Sequence, residues 1–141
     1  MQEISFEEAL ELILTQDSRY QRDAYCFVRD ALEFTRKRVG KETSGRDRHV
    51  TPRQLLEGIR QFALAEFGPM ALTVFEEWGV RRGRDFGEIV FNLVEIGQFA
   101  KTPTDRREDF DGGYDFEEAF RKPFMPAGKP LQKPEPKSSS A

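Results

Sequence analysis

The side chains that could do chemistry are few, and their types exclude more than they permit. The chain has one cysteine, Cys26, and one histidine, His49. A disulfide needs two cysteines, and a structural zinc site needs about four Cys/His ligands. A three-histidine metal centre is excluded in the same way. On a helical wheel of about 100° per residue, Cys26 lies nearly opposite the Phe27/Ala31/Leu32 stripe and points toward a charged face. Arg22 and Arg29 on that face would lower a thiol pKa, whereas Asp23 and Asp30 act in the other direction. With no histidine base beside it, Cys26 makes no nucleophile dyad. His49 stands in a polar loop beside a helix start and reads as solvated.

Carboxylates are denser. Asp105, Glu108, Asp109, Asp111, Asp115, Glu117 and Glu118 form an acidic run whose oxygens could hold a divalent cation. The calcium-loop pattern fails, because Gly113 stands where its third ligand belongs and Tyr114 where its glycine belongs. Helix caps and ion pairs of a charged turn account for the run. There is no glycine-rich phosphate loop, no Gly-x-Ser-x-Gly elbow and no paired-cysteine motif. The sequence therefore names no catalytic residue, no metal site and no cofactor.

Binding chemistry is better represented. The 22 Lys and Arg against 25 Asp and Glu leave a net charge of only −3, but the charges lie in blocks. Residues 36–53 sum to +5 and residues 121–141 to +4, against −4 over the first twenty residues and −5 over 105–120. Arg36, Lys37, Arg38, Arg46 and Arg48 are the candidate contacts of the first basic block, to RNA or to an acidic protein. The competing reading is a solvated loop, with a tail that folds back onto the acidic run. Arg81, Arg82 and Arg84 form a second basic group before a helix start, where an anion could sit; Asp85 and Glu88 are their nearest alternative partners.

The elements that must position these residues are well punctuated. Ser5-Phe6-Glu7-Glu8 is a capping box opening a short helix to about Thr15. A second helix is predicted from Tyr20 to Val39, on the spacing of Tyr20, Ala24, Phe27, Val28, Ala31, Leu32 and Val39, with Gly40 as its stop. A polar loop follows over 41–49. Thr51, Pro52 and Gln54 start a third helix that ends at Gly68. Pro69 starts a fourth, stopped by Gly79, and Asp85 caps a fifth, ended by Gly97. Gln98–Thr102 reads as a short strand, and Phe110-Asp111-Gly112-Gly113-Tyr114 as a hairpin turn. A last helical turn begins at Asp115, with Phe116 and Phe120 facing the body.

The expected fold is mainly α: a compact bundle of about five helices, a short C-terminal β-hairpin and a disordered Pro/Lys/Ser-rich tail. Residues 1–120 read as a single domain and 121–141 as the extended tail. Twelve of the 13 phenylalanines lie at or before Phe120, each able to bury about 150–250 Å². Five of the eight prolines lie from Pro123 onward, a composition that does not pack.

Successive helices followed by a strand are the order of a winged-helix domain, whose last helix reads DNA. The residues argue against it. Phe86, Ile89, Val90, Phe91, Leu93, Val94 and Ile96 bury the fifth helix, and its narrow polar stripe of Glu88, Asn92 and Glu95 would repel phosphate. Sequence-specific DNA binding is not expected.

His49-Val50-Thr51, Leu55-Leu56-Glu57-Gly58-Ile59-Arg60, Phe67-Gly68-Pro69, Trp78-Gly79-Val80-Arg81-Arg82 and Asp85 through Val94 carry a resemblance. So do Asp105-Arg106-Arg107-Glu108-Asp109-Phe110 and Gly113-Tyr114-Asp115-Phe116. Over roughly residues 10–120 they resemble a family of small proteins of no assigned activity, found chiefly in planctomycete and verrucomicrobial bacteria. The resemblance implies a bacterial cytosolic protein and adds no catalytic or binding residue.

No run of about 18 apolar residues exists, which excludes a membrane-spanning helix. Met1–Ser5 lacks the basic and apolar regions of a secretory signal, and a lone thiol suits the cytoplasm. The expected function is a non-enzymatic interaction module whose partner is a protein. Two alternatives stand beside it. One is RNA or ribosome association through the basic loop 36–53 and the basic tail; the other is a carboxylate- and metal-dependent enzyme.

Overall fold

Two helices start at side chains that satisfy their free amides. The Ser5 hydroxyl accepts from the Glu8 amide at 3.1 Å, and the Glu8 carboxylate accepts from the Ser5 amide at 3.0 Å. This opens α1, Phe6–Gln16. Thr51 and Gln54 make the same reciprocal pair at 3.1 and 2.9 Å, with Pro52 at the first position of α3, Pro52–Phe67. Between them runs α2, Arg22–Glu42; α4, Ala71–Trp78, and α5, Gly83–Glu95, follow. The computed structural model describes residues 4–42, 50–99 and 106–125, without the side chains of 40–42. Arg46, Arg48, the expected tail from Pro126 onward and most of the expected strand lie outside the described residues.

The interior is one aromatic assembly. Phe75 of α4 is fully buried and meets Phe27, Phe67, Trp78, Phe86, Phe116 and Phe120, with ring centroids between 5.0 and 6.4 Å. Edge-to-face pairs such as Phe75–Phe120 place a positive ring edge on a negative face. The core is continuous from Leu10 to Phe120. α5 runs through its middle, with Phe86, Ile89, Phe91 and Leu93 buried as expected. No described helix is long and apolar enough to cross a membrane.

α2 and α3 approach closely where two small residues face each other. Thr35 is fully buried and donates to the Ala31 carbonyl at 2.7 Å, and its side chain fills the space beside Gly58. Any Cβ at Gly58 would collide with the Thr35 hydroxyl.

Three expectations are corrected. α2 does not stop at Gly40 but continues to Glu42; an interior glycine costs about 1 kcal/mol, and buried Val39 holds that last turn to the body. α5 begins at Gly83, because Asp85 acts from inside the first turn: its carboxylate accepts the Arg81 and Arg82 amides at 2.8 and 3.3 Å. Neither the hairpin nor any strand occurs among the described residues. Instead Arg107–Phe110 is a 3₁₀ turn, closed where the Asp109 carboxylate accepts the Arg106 amide at 2.9 Å. Phe110 is only 2% exposed, and Tyr114 donates to the Leu56 carbonyl at 2.8 Å. The two aromatics flanking Asp-Gly-Gly anchor the chain to α5 and α3 rather than pairing across strands. Past them, a wide helical turn, Glu117–Arg121, buries Phe120 as expected.

Candidate interaction surfaces

The polar stripe of α5 is the most connected polar feature, and it is closed. Glu88 has a side chain 15% exposed and accepts from three arginines: Arg107 Nε at 3.0 Å, Arg84 Nε at 3.2 Å and Arg19 Nη2 at 3.3 Å. Arg84 also holds Asp111 at 3.1 Å, and Arg107 holds Glu95 at 3.3 Å. Arg19 grips Asp17 at 2.7 Å. Asn92 donates to the Asp17 carboxylate at 3.1 Å and to the Tyr25 hydroxyl at 3.0 Å. Tyr20 donates to Asp85 at 2.6 Å.

The electrostatics follow from these bonds. Burial works to raise the Glu88 carboxyl, but Arg84, Arg19 and Arg107 outweigh it and hold it below the usual range. The bond from Arg19 holds the Asp17 carboxyl far below its ordinary value, against burial. Ionised, saturated carboxylates are poor general acids or bases. The arrangement clasps the α1–α2 turn and the 107–111 segment onto α5. A cavity of about 370 Å³ beside it is lined by Ile13, Gln16, Asp17, Asn92, Glu95 and Ile96, whose Asp17 and Asn92 are already bonded to each other.

This clasp accounts for one of the basic groups. Arg84 is committed to Glu88 and Asp111, while Arg81 and Arg82 project into solvent at the start of α5. Their amides, the groups an anion would use there, are taken by Asp85. Cys26 is half-buried. Burial pushes its thiol up, and Asp23, Asp30 and Glu7 reinforce that against Arg29. Among the described residues, no three His, Cys, Asp or Glu side chains gather in a way that could hold a metal ion.

The other basic residues border an open groove. Arg36, Lys37 and Arg38 lie on α2, and the groove, of about 570 Å³, is lined by Asp30, Glu33, Phe34, Lys37, Arg38 and Phe62. Its floor is aromatic: the half-buried Phe34 and Phe62 rings lie 5.4 Å apart. Asp30 and Glu33 flank one end, each with an exposed arginine partner, Arg29 at 3.3 Å and Arg36 at 3.4 Å. Lys37 and Arg38 flank the other and make no side-chain hydrogen bond or close ion pair among the described residues, although the Arg38 charge helps hold the Glu57 carboxyl down. The Arg38 Nε is shut off from solvent without an acceptor.

Sequence reasoning named the three cations, read Asp30 only as a neighbour of Cys26, and missed Phe34, Phe62 and Glu33. The signal was available in the positions 30, 33, 34, 37 and 38, which fall three and four apart and so share one helix face. Summing charge from residue 36 onward cut that face in two. No known protein family, no curated protein and no solved structure matches the chain.

Proposed function

We propose that the protein is a non-enzymatic interaction module, that its docking surface is the Phe34/Phe62 groove, and that its partner is a protein. The observation that carries this reading is an aromatic floor with carboxylates at one end and, at the other, Lys37 and Arg38, which make no close ion pair among the described residues. Aromatic side chains in a concave site, rimmed by charge, are the anchors of protein interfaces. A phosphate backbone needs a face of one sign; here Asp30 and Glu33 stand within the same groove as Lys37 and Arg38, which favours protein over RNA. The cytosol of a bacterium, implied by the family resemblance and by the lone thiol, is the setting that goes with this reading.

The test is photocrosslinking in living bacterial cells, with p-benzoylphenylalanine in place of Phe34 or, as control, of the exposed Thr73 on α4. The expected result is an adduct at Phe34 that maps to defined protein peptides, survives nuclease and is absent at Thr73. An adduct removed by nuclease, or no excess over Thr73, overturns the reading.

A further inference from the structure

We infer that the occupant of the α2 groove is a second copy of this chain, packed antiparallel across a two-fold axis that passes at Phe34. This rests on the groove being the docking surface. The argument is the order of charges along one face of α2: acid at Asp30 and Glu33, aromatic at Phe34, base at Lys37 and Arg38. In an antiparallel helix pair, residues equally far from the centre on either side meet. A centre at Phe34 sets Asp30 level with the partner's Arg38 and leaves Glu33 two residues, about 3 Å along the axis, from the partner's Lys37, within reach of that long side chain. Symmetry repeats both pairs at the other end, as every isologous contact must.

The spacing is right for this. Asp30 and Arg38 are eight residues apart, about 12 Å along the axis, so both charged ends straddle one aromatic centre. Phe34 then lies beside the partner's Phe34, with Phe62 from α3 closing the pocket behind it. A parallel packing would oppose like charges at both ends. The pairs with Arg29 and Arg36 are exposed, and exposed pairs contribute only about 0–1 kcal/mol, so exchanging them for intermolecular ones costs little. Lys37 and Arg38, which make no close ion pair among the described residues, Arg38 acting on Glu57 only at longer range, gain one each in the pair. The face is narrow compared with the roughly 1,200–2,000 Å² of stable complexes, so the dimer is weak and its population depends on concentration.

The experiment is sedimentation velocity on the full chain from about 1 to about 500 μM, with two charge-reversed variants. Asp30→Lys/Glu33→Lys makes both ends of the face basic; Lys37→Glu/Arg38→Glu makes both ends acidic. The wild type is expected to dimerise with rising concentration. Each variant alone should dissociate at least about tenfold more readily, and an equimolar mixture should recover the dimer. Recovery on mixing cannot come from misfolding, and circular dichroism of each variant checks the fold separately. A wild type that stays monomeric throughout, or variants that dimerise as well as the wild type, overturns the inference. If the wild type is monomeric while the Phe34 crosslink lands on another protein, only self-association fails. If that crosslink is also absent, the docking surface itself fails.

Discussion

The Thr35 hydroxyl occupies the space that a Cβ on Gly58 would need. Gly58 is therefore what lets α2 and α3 close, and through them what places Phe34 beside Phe62. Gly58→Ala is expected to lower stability by about 1–3 kcal/mol, the usual cost of overpacking a filled core. Adding Thr35→Ala should return part of that loss, since it removes the colliding hydroxyl. Denaturant titration of the two single variants and the double variant checks this; additive losses would mean that the two residues do not share that space.

Glu88 draws Arg19, Arg84 and Arg107 onto one carboxylate, so its neutralisation leaves three cations facing each other. Glu88→Gln should cost about 1–3 kcal/mol, kept below the figure for a fully buried pair because the arginines reach solvent. The loss should shrink in high salt, which screens the remaining repulsion. A denaturation midpoint unchanged from wild type would show that the clasp contributes nothing.

Stability should fall on both flanks of neutral pH. Asp17, Glu57 and Glu88 have carboxyls held below their ordinary values. Their contribution is complete above about pH 5, begins to fall near 4, where the unfolded chain takes up protons first, and is lost as pH drops through their lowered folded values. Tyr20, Tyr25 and Tyr114 are raised, each mainly by burial, so their contribution is lost as pH rises beyond about 10. A melting-temperature series checks both limbs, and Asp17→Asn should flatten the acid one. An acid limb identical in that variant would remove Asp17 from the account.

Cys26 should react slowly. Its half-buried thiol is raised by burial and by Asp23, Asp30 and Glu7, and only the thiolate is nucleophilic. Iodoacetamide at pH 7.5 should modify it more slowly than it modifies free cysteine, with the rate climbing only at a pH above that at which free cysteine reacts. A rate faster than that of free cysteine would reveal an activating neighbour.

Local signals were legible and tertiary ones were not. The Ser5–Glu8 and Thr51–Gln54 boxes are contained in four residues each, so helix starts could be read directly. The buried α5 with its Glu88/Asn92/Glu95 stripe followed from periodicity alone. The hairpin failed because its outcome depends on distant glycines. A Cβ at Gly83 would meet the Phe110 carbonyl oxygen at 2.7 Å, and one at Gly87 would meet the Phe110 ring at 2.8 Å. That flat seat on α5 draws Phe110 inward, and no window around residues 110–114 reveals it. Arg19 reaches Glu88 across 69 positions, so the clasp was equally invisible. The groove lay between these cases: its α2 face was written in five positions, but Phe62 joins it only through the α2–α3 packing.

The central claim is that this chain contacts a second copy of itself through the α2 groove. Amide spectra of the ¹⁵N-labelled full chain, compared between about 10 and about 500 μM, test it residue by residue. The account predicts shifts or broadening centred on Asp30–Arg38 and on Phe62, with Glu88 and Arg107 on the clasp unmoved. Identical spectra at both concentrations, or changes centred on the clasp, would contradict it.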